Sequence, residues 1–101
     1  MTYILVPETE RDLEWDQRKS DHNRRERDLP FDLATELFKS PTLEQRDLRQ
    51  DYREIRMLAI GMARGMILLC VYTDRGPVRR IISLRPANRK ERDDYRKAFY
   101  H

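Results

Sequence analysis

Apolar positions in the second half of this chain recur every two residues, and turn-forming residues interrupt them. Arg53 to Ile60 alternates, with Ile55, Met57 and Ala59 on one side and Glu54, Arg56, Leu58 and Ile60 on the other. Gly61 and Gly65 flank a reversal. Met66 to Thr73 is almost continuously apolar, the pattern of a central strand covered on both faces. Asp74-Arg75-Gly76-Pro77 reads as a tight turn, and Val78 to Arg85 as the next strand. A helix then starts at Asn88, where Asn88 and Glu91 have capping-box spacing and Tyr95, Ala98 and Phe99 form an apolar stripe.

The first half is patterned differently. Residues 1–12 read as an N-terminal extension or short strand, and Leu13 to Asp16 as a short strand running into a helix capped by Asp16. That helix, residues 17–27, is polar on every side, so burial contributes little to it. A second helix spans Phe31 to Lys39, with Phe31, Ala34, Leu37 and Phe38 on one face, and Ser40-Pro41 ends it. Thr42 to Arg49 reads as an edge strand. The order predicts a single α+β domain over 1–101: two N-terminal helices, an antiparallel meander of about four strands, and a C-terminal helix. All helices are expected on one face of the sheet, in two layers.

Charge and cysteine content narrow the function classes. The net charge is only +3, but residues 74–101 carry nine Lys/Arg against four Asp/Glu. A polyanion is therefore a candidate partner, and a solvated, ion-paired surface is the alternative. The lone cysteine, Cys70, sits in an apolar run and reads as a buried thiol, which fits a reducing cytoplasm. No apolar stretch approaches the roughly 20 residues of a membrane span. There is no glycine-rich phosphate loop, and two histidines with one cysteine make no metal-ligand set, so no cofactor or metal is expected.

Two blocks carry a family resemblance. The first is Leu13-Glu14-Trp15-Asp16 followed by Lys19, Asn23, Phe31, Ala34 and Phe38. The second is Arg56, Ile60-Gly61, Val71-Tyr72-Thr73, Arg80 to Ser83, Arg85, Ala87, Arg89, Glu91-Arg92 and Tyr95. Together they resemble the BrnT family, the toxin component of a type II bacterial toxin–antitoxin system. The resemblance implies a RelE-like fold and RNA cleavage that arrests translation. It also implies an antitoxin with a ribbon-helix-helix DNA-binding domain, a toxin2–antitoxin2 complex, and operator DNA bound only through the antitoxin. One departure stands out. The family commonly has Lys-His-Gly where this chain has Glu26, Arg27 and Asp28. Loss of the His removes a candidate proton carrier, so a weakened antitoxin-binding co-repressor or a non-cleaving RNA-binding module is the alternative.

RNA cleavage without a metal needs deprotonation of the 2′-OH, stabilisation of charge on the phosphate, and a proton for the leaving 5′-oxygen. Arginine suits the second task, being planar and permanently charged. Arg56, Arg80 and Arg85 are the candidate charge stabilisers, with salt bridges to acidic neighbours as the competing role. Lys19 is a candidate acid or phosphate ligand, Ser83 a phosphate-orienting hydroxyl, and Tyr72 a proton donor or stacking ring. Arg79, Arg89, Lys90 and Asn23 are candidate RNA contacts. His22 has a suitable pKa but no sequence-marked partner. Strict alternation puts Arg79, Ser83 and Arg85 on one face and Arg80 on the other, unless the strand bulges.

Overall fold

The computed structural model describes residues 2–100. The elements are β1 (Ile4–Val6), β2 (Asp12–Trp15), α1 (Gln17–Arg27), α2 (Leu33–Leu37), β3 (Thr42–Arg46), β4 (Met57–Ala63), β5 (Met66–Arg75), β6 (Val78–Pro86) and α3 (Arg89–Phe99). The α+β class is as expected, but the sheet has six strands in the order β1-β3-β4-β5-β6-β2. The meander β3 to β6 is antiparallel. β1 extends it antiparallel beside β3, whereas β2 pairs parallel with β6. So the four-strand expectation is corrected at both edges. β3 is internal, because β1 covers its outer side.

The expected two layers are also corrected to three. Along β5, Leu68, Cys70 and Tyr72 pack with Leu33, Ala34, Leu37 and Phe38, while Ile67, Leu69 and Val71 pack with Tyr95, Ala98 and Phe99. Successive strand residues point to opposite faces, so α2 covers one face and α3 the other. We call these the α2 face and the α3 face. This double cover explains why β5 is apolar at almost every position.

Local chemistry sets the boundaries. Asp16 caps α1 by accepting from the Arg18 and Lys19 backbone N–H groups, and α3 opens with the Asn88–Glu91 capping box. The predicted strand from Arg53 begins only at Met57, since Arg53 itself takes a left-handed φ of 57°. α2 is shorter than predicted, yet Phe31 and Phe38 still bury from the flanking turns. Asn23 and Arg27 reach from α1 to the Leu84 carbonyl, at 2.9 and 3.3 Å. They satisfy β6 where β2 no longer pairs with it.

Gly61 lies inside β4 rather than beside the turn. A Cβ there would stand 2.7 Å from Leu37 Cγ and 2.8 Å from its Cδ2. Gly61→Ala should therefore lower unfolding free energy by about 1–3 kcal/mol in urea titration, as α2 is pushed off the sheet. A neutral result would show that Leu37 can move aside.

Candidate nucleic-acid interface

The register between β5 and β6 decides which arginines share a face. Cys70 opposes Leu84 and Val71 opposes Ser83, but Tyr72 opposes Ile81, so Ile82 is an extra residue in β6. Ser83 and Arg85 therefore lie with Val71 and Leu69 on the α3 face. Beyond the bulge, Arg80 opposes Thr73 and joins that same face, while Arg79 opposes Asp74 and turns to the α2 face. The alternation expectation is corrected here: Arg80, not Arg79, accompanies Ser83 and Arg85. Arg56 lies one step beyond the Met57–Tyr72 pair, which puts it beside Thr73. The row Arg56, Thr73, Arg80, Glu14 thus crosses β5, β6 and β2, with Arg56 just ahead of β4. Strand spacing sets the arginines about 10 Å apart across the sheet, and Arg80 about 14 Å from Arg85 along it.

Each of these arginines touches a carboxylate, but not equally. Arg85 is held bidentately by Glu91, at 2.8 and 2.9 Å. Burial acts to raise the Glu91 pKa, but the bonds from Arg85 and the Asn88 N–H outweigh it and hold the carboxyl below its ordinary value. Arg56 donates one 3.2 Å bond to Glu54 and stacks on Tyr52 at 4.1 Å. Arg80 only approaches Glu14, at 3.4 Å. Among the described residues its guanidinium makes no hydrogen bond, and its side chain is 31% exposed. Part-exposed single contacts of this kind contribute about 0–1 kcal/mol, so a phosphate can displace them.

Arg79 has the opposite environment. Its side chain is 6% exposed and bonds Asp74 at 2.8 and 3.1 Å. The guanidinium lies over the Tyr72 ring at 3.8 Å and the Phe38 ring at 4.7 Å. Tyr72 is on that same α2 face, its hydroxyl donating to the buried Glu44 carboxylate. Burial foremost, and then Glu44, raise the tyrosine pKa. Neither Arg79 nor Tyr72 joins the row.

The remaining candidates are dispersed. Lys19 is exposed on the first turn of α1. That turn follows the Trp15–Ile81 pair directly, so Lys19 rises from chain beside the bulge. The Asn23 amide is committed to the Leu29 and Leu84 carbonyls, at 2.6 and 2.9 Å. Arg89 and Lys90 stand exposed on the first turn of α3, with Lys90 bonded to Asp94 at 2.8 Å. His22 is exposed on α1. Sequence reasoning named Glu54 and Glu91 as competing partners of these arginines, and both pair with them, but it missed Glu14 and Tyr52 as neighbours of the row. The Glu14–Arg80 approach depends on a parallel pairing between segments 66 positions apart, for which no local signal exists. Among the described residues, no group of three or more His, Cys, Asp or Glu is placed to hold a metal ion.

The model of a family described as the ribonuclease toxin BrnT, of type II toxin–antitoxin systems, matches residues 15–91. The chain belongs to the BrnT family. The matched span holds Arg56, Arg80, Ser83, Arg85 and Glu91, and leaves out β1 and most of β2. No curated protein matches the chain. No helix among the described residues is long and apolar enough to cross a membrane.

BrnT membership gives Asp28 a context. Where the family commonly has Gly, Asp28 occupies the α1 C-cap with φ 57° and ψ 33°. Left-handed backbone is costly for a residue with a Cβ, so Asp28→Gly should raise stability by about 0.5–1 kcal/mol in thermal or urea unfolding. An unchanged or lower stability would show that the aspartate side chain compensates.

The Glu91–Arg85 pair supports a second measurement. Glu91→Gln retains an acceptor for the Asn88 N–H but removes the charge. At neutral pH the substitution should cost about 1 kcal/mol. Because the folded carboxyl titrates below its unfolded value, the stabilisation is complete above the unfolded pKa and fades as pH falls through the folded one. Wild type and variant should converge as pH falls through the folded carboxyl's pKa, and a gap independent of pH would refute the ionic assignment.

Proposed function

We propose that this BrnT-family chain is a metal-independent endoribonuclease, the toxin of a type II toxin–antitoxin system, acting through the arginine row on the α3 face. The Ile82 bulge carries this reading, because it gathers Arg80, Ser83 and Arg85 on one face beside Arg56. The 2′-oxygen attacks phosphorus and the bond to the 5′-oxygen breaks. Arg80 and Arg56 exchange their weak carboxylate contacts for the phosphate oxygens and stabilise the growing charge, while Ser83 orients the phosphate. Arg85, already fixed by Glu91, is pre-aimed at the neighbouring phosphate. Glu14, beside Arg80, is the nearest carboxylate able to take the 2′-OH proton. Lys19, next to the bulge, protonates the leaving oxygen. Arg89 and Lys90 extend the basic surface along the RNA. Cleavage halts translation in the cytoplasm. A ribbon-helix-helix antitoxin neutralises the toxin in a toxin2–antitoxin2 complex and alone contacts operator DNA.

A second reading, an antitoxin-binding co-repressor or a non-cleaving RNA binder, has one observation in its favour. Arg27 stands where the family commonly has His and is committed to the Leu84 carbonyl.

Incubating the purified chain with RNA in EDTA separates the two readings. The enzyme reading expects cleavage that falls at least about 100-fold in Arg80→Ala and in Arg85→Ala, with circular dichroism unchanged. Uncut RNA, bound with a steep salt dependence, would replace it with the binding module. Absence of any RNA effect would leave the antitoxin-binding scaffold.

A further inference from the structure

We infer that the apolar groove between the β4–β5 hairpin and the C-terminal end of α3 is the seat of an acidic amphipathic segment of the antitoxin, separate from the arginine row. The inference rests on the antitoxin partner of the reading above, and goes beyond it by locating the contact. The groove has a volume of about 640 Å³, and Met62, Met66, Pro86 and Tyr100 line it with apolar surface. Met66 is 39% exposed and Tyr100 59%. Exposed apolar groups gathered in a concavity favour a partner that covers them.

Charge identifies the partner's chemistry. Arg92 and Arg96 stand one helical turn apart on the groove wall. The arginines of the neighbouring strands β5 and β6, Arg75, Arg79, Arg80 and Arg85, each have a carboxylate within 4 Å. Among the described residues, Arg92 and Arg96 have none. Arg92 is steadied by the Ala87 carbonyl at 2.7 Å, which leaves most of its donors free. A segment that inserts apolar side chains while presenting carboxylates one turn apart complements both features. A basic or wholly apolar segment does not.

The groove is distant from the proposed chemistry. On β5, Ile67 lines the groove and Thr73 adjoins Arg80, six residues and about 20 Å away. Neutralisation and cleavage are therefore separable by mutation.

The test uses the chain co-purified with the antitoxin encoded beside its gene, with affinity measured by calorimetry on the separated partners. Met66→Asp and Arg96→Glu should each weaken antitoxin binding about tenfold or more. RNA cleavage by the free toxin should be unchanged in both variants. Both residues are exposed, and circular dichroism checks that folding is intact. Equal affinity in wild type and both variants would overturn the groove assignment while leaving the partner reading intact. Failure of the wild-type chain to bind the antitoxin at all would overturn both. Self-association of the free wild-type chain that Met66→Asp abolishes, seen by light scattering, would reassign the groove to a second copy.

Discussion

A β-ladder sends successive side chains to opposite faces, and side-chain chemistry alone cannot change that period. One inserted residue can, and among the described residues it does so at Ile82. Without it, Arg80 would enter the α2 face beside Phe38, and Arg79 would take its place in the row. With it, Arg79 turns to the α2 face and Arg80 to the α3 face. Bulges also bend and twist a strand locally, and here the bend falls where β2 stops pairing and α1 begins. The bulge and the start of α1, which carries Lys19, thus meet near the middle of β6.

The fates of Arg79 and Arg80 show what a face does to a charge. Arg79 is desolvated, which disfavours its charged form, yet Asp74, Tyr72 and Glu44 together outweigh that and its pKa is raised. It completes a buried polar layer in which Glu44 receives the Tyr72 hydroxyl and, at 2.5 Å, the Thr42 hydroxyl. Buried charges persist only with such partners. Tyr72 stays protonated at neutral pH and serves as a donor within that layer. Arg80 has the reverse situation, with one long ion-pair contact and open solvent, and so retains donors for an external anion. A buried arginine clamped by Asp74 supports the sheet, even though its Nη1 is buried without a hydrogen-bond partner, whereas a part-exposed, undersaturated one can bind.

The sequence made some of this legible. The period of two located β4, β5 and β6 to within a few residues, because their apolar positions are set by contacts between chain neighbours. The caps Asp16 and Asn88 were readable because a cap acts within three residues. The basic cluster at the C-terminal end and the motif spacing marked Arg56, Arg80, Ser83 and Arg85 as a set. What stayed hidden depends on distant pairing. β1 exposes Ile4 and Leu5 at 55% and 61%, so no burial pattern announces it. β2 joins β6 in parallel after an intervening helical layer, so nothing local gives its direction. The bulge leaves no mark in Ile81-Ile82, two residues suited equally to a regular strand. Parity was therefore where the strand faces came out differently, with Arg79 and Arg80 exchanging sides.

Helix α3 joins these observations. Its first turn holds Glu91, which fixes Arg85 and closes the capping box in one carboxylate. Its last turns carry Arg96 and, just beyond, Tyr100 at the groove. Between them Tyr95 packs on Phe99 with ring centroids 4.7 Å apart and anchors the helix to the α3 face. Eleven residues of helix make a rod about 16 Å long. The two ends therefore keep a fixed separation, and a ligand at either end meets a preformed surface. A partner that holds the groove and also shields Arg80 must span about 20 Å of sheet, more than a single side chain can reach. A partner that makes both contacts has to pass over or beside α3, which packs on the sheet between them. Arg80 already lies on that face, so a partner that reaches it needs no rearrangement of the sheet.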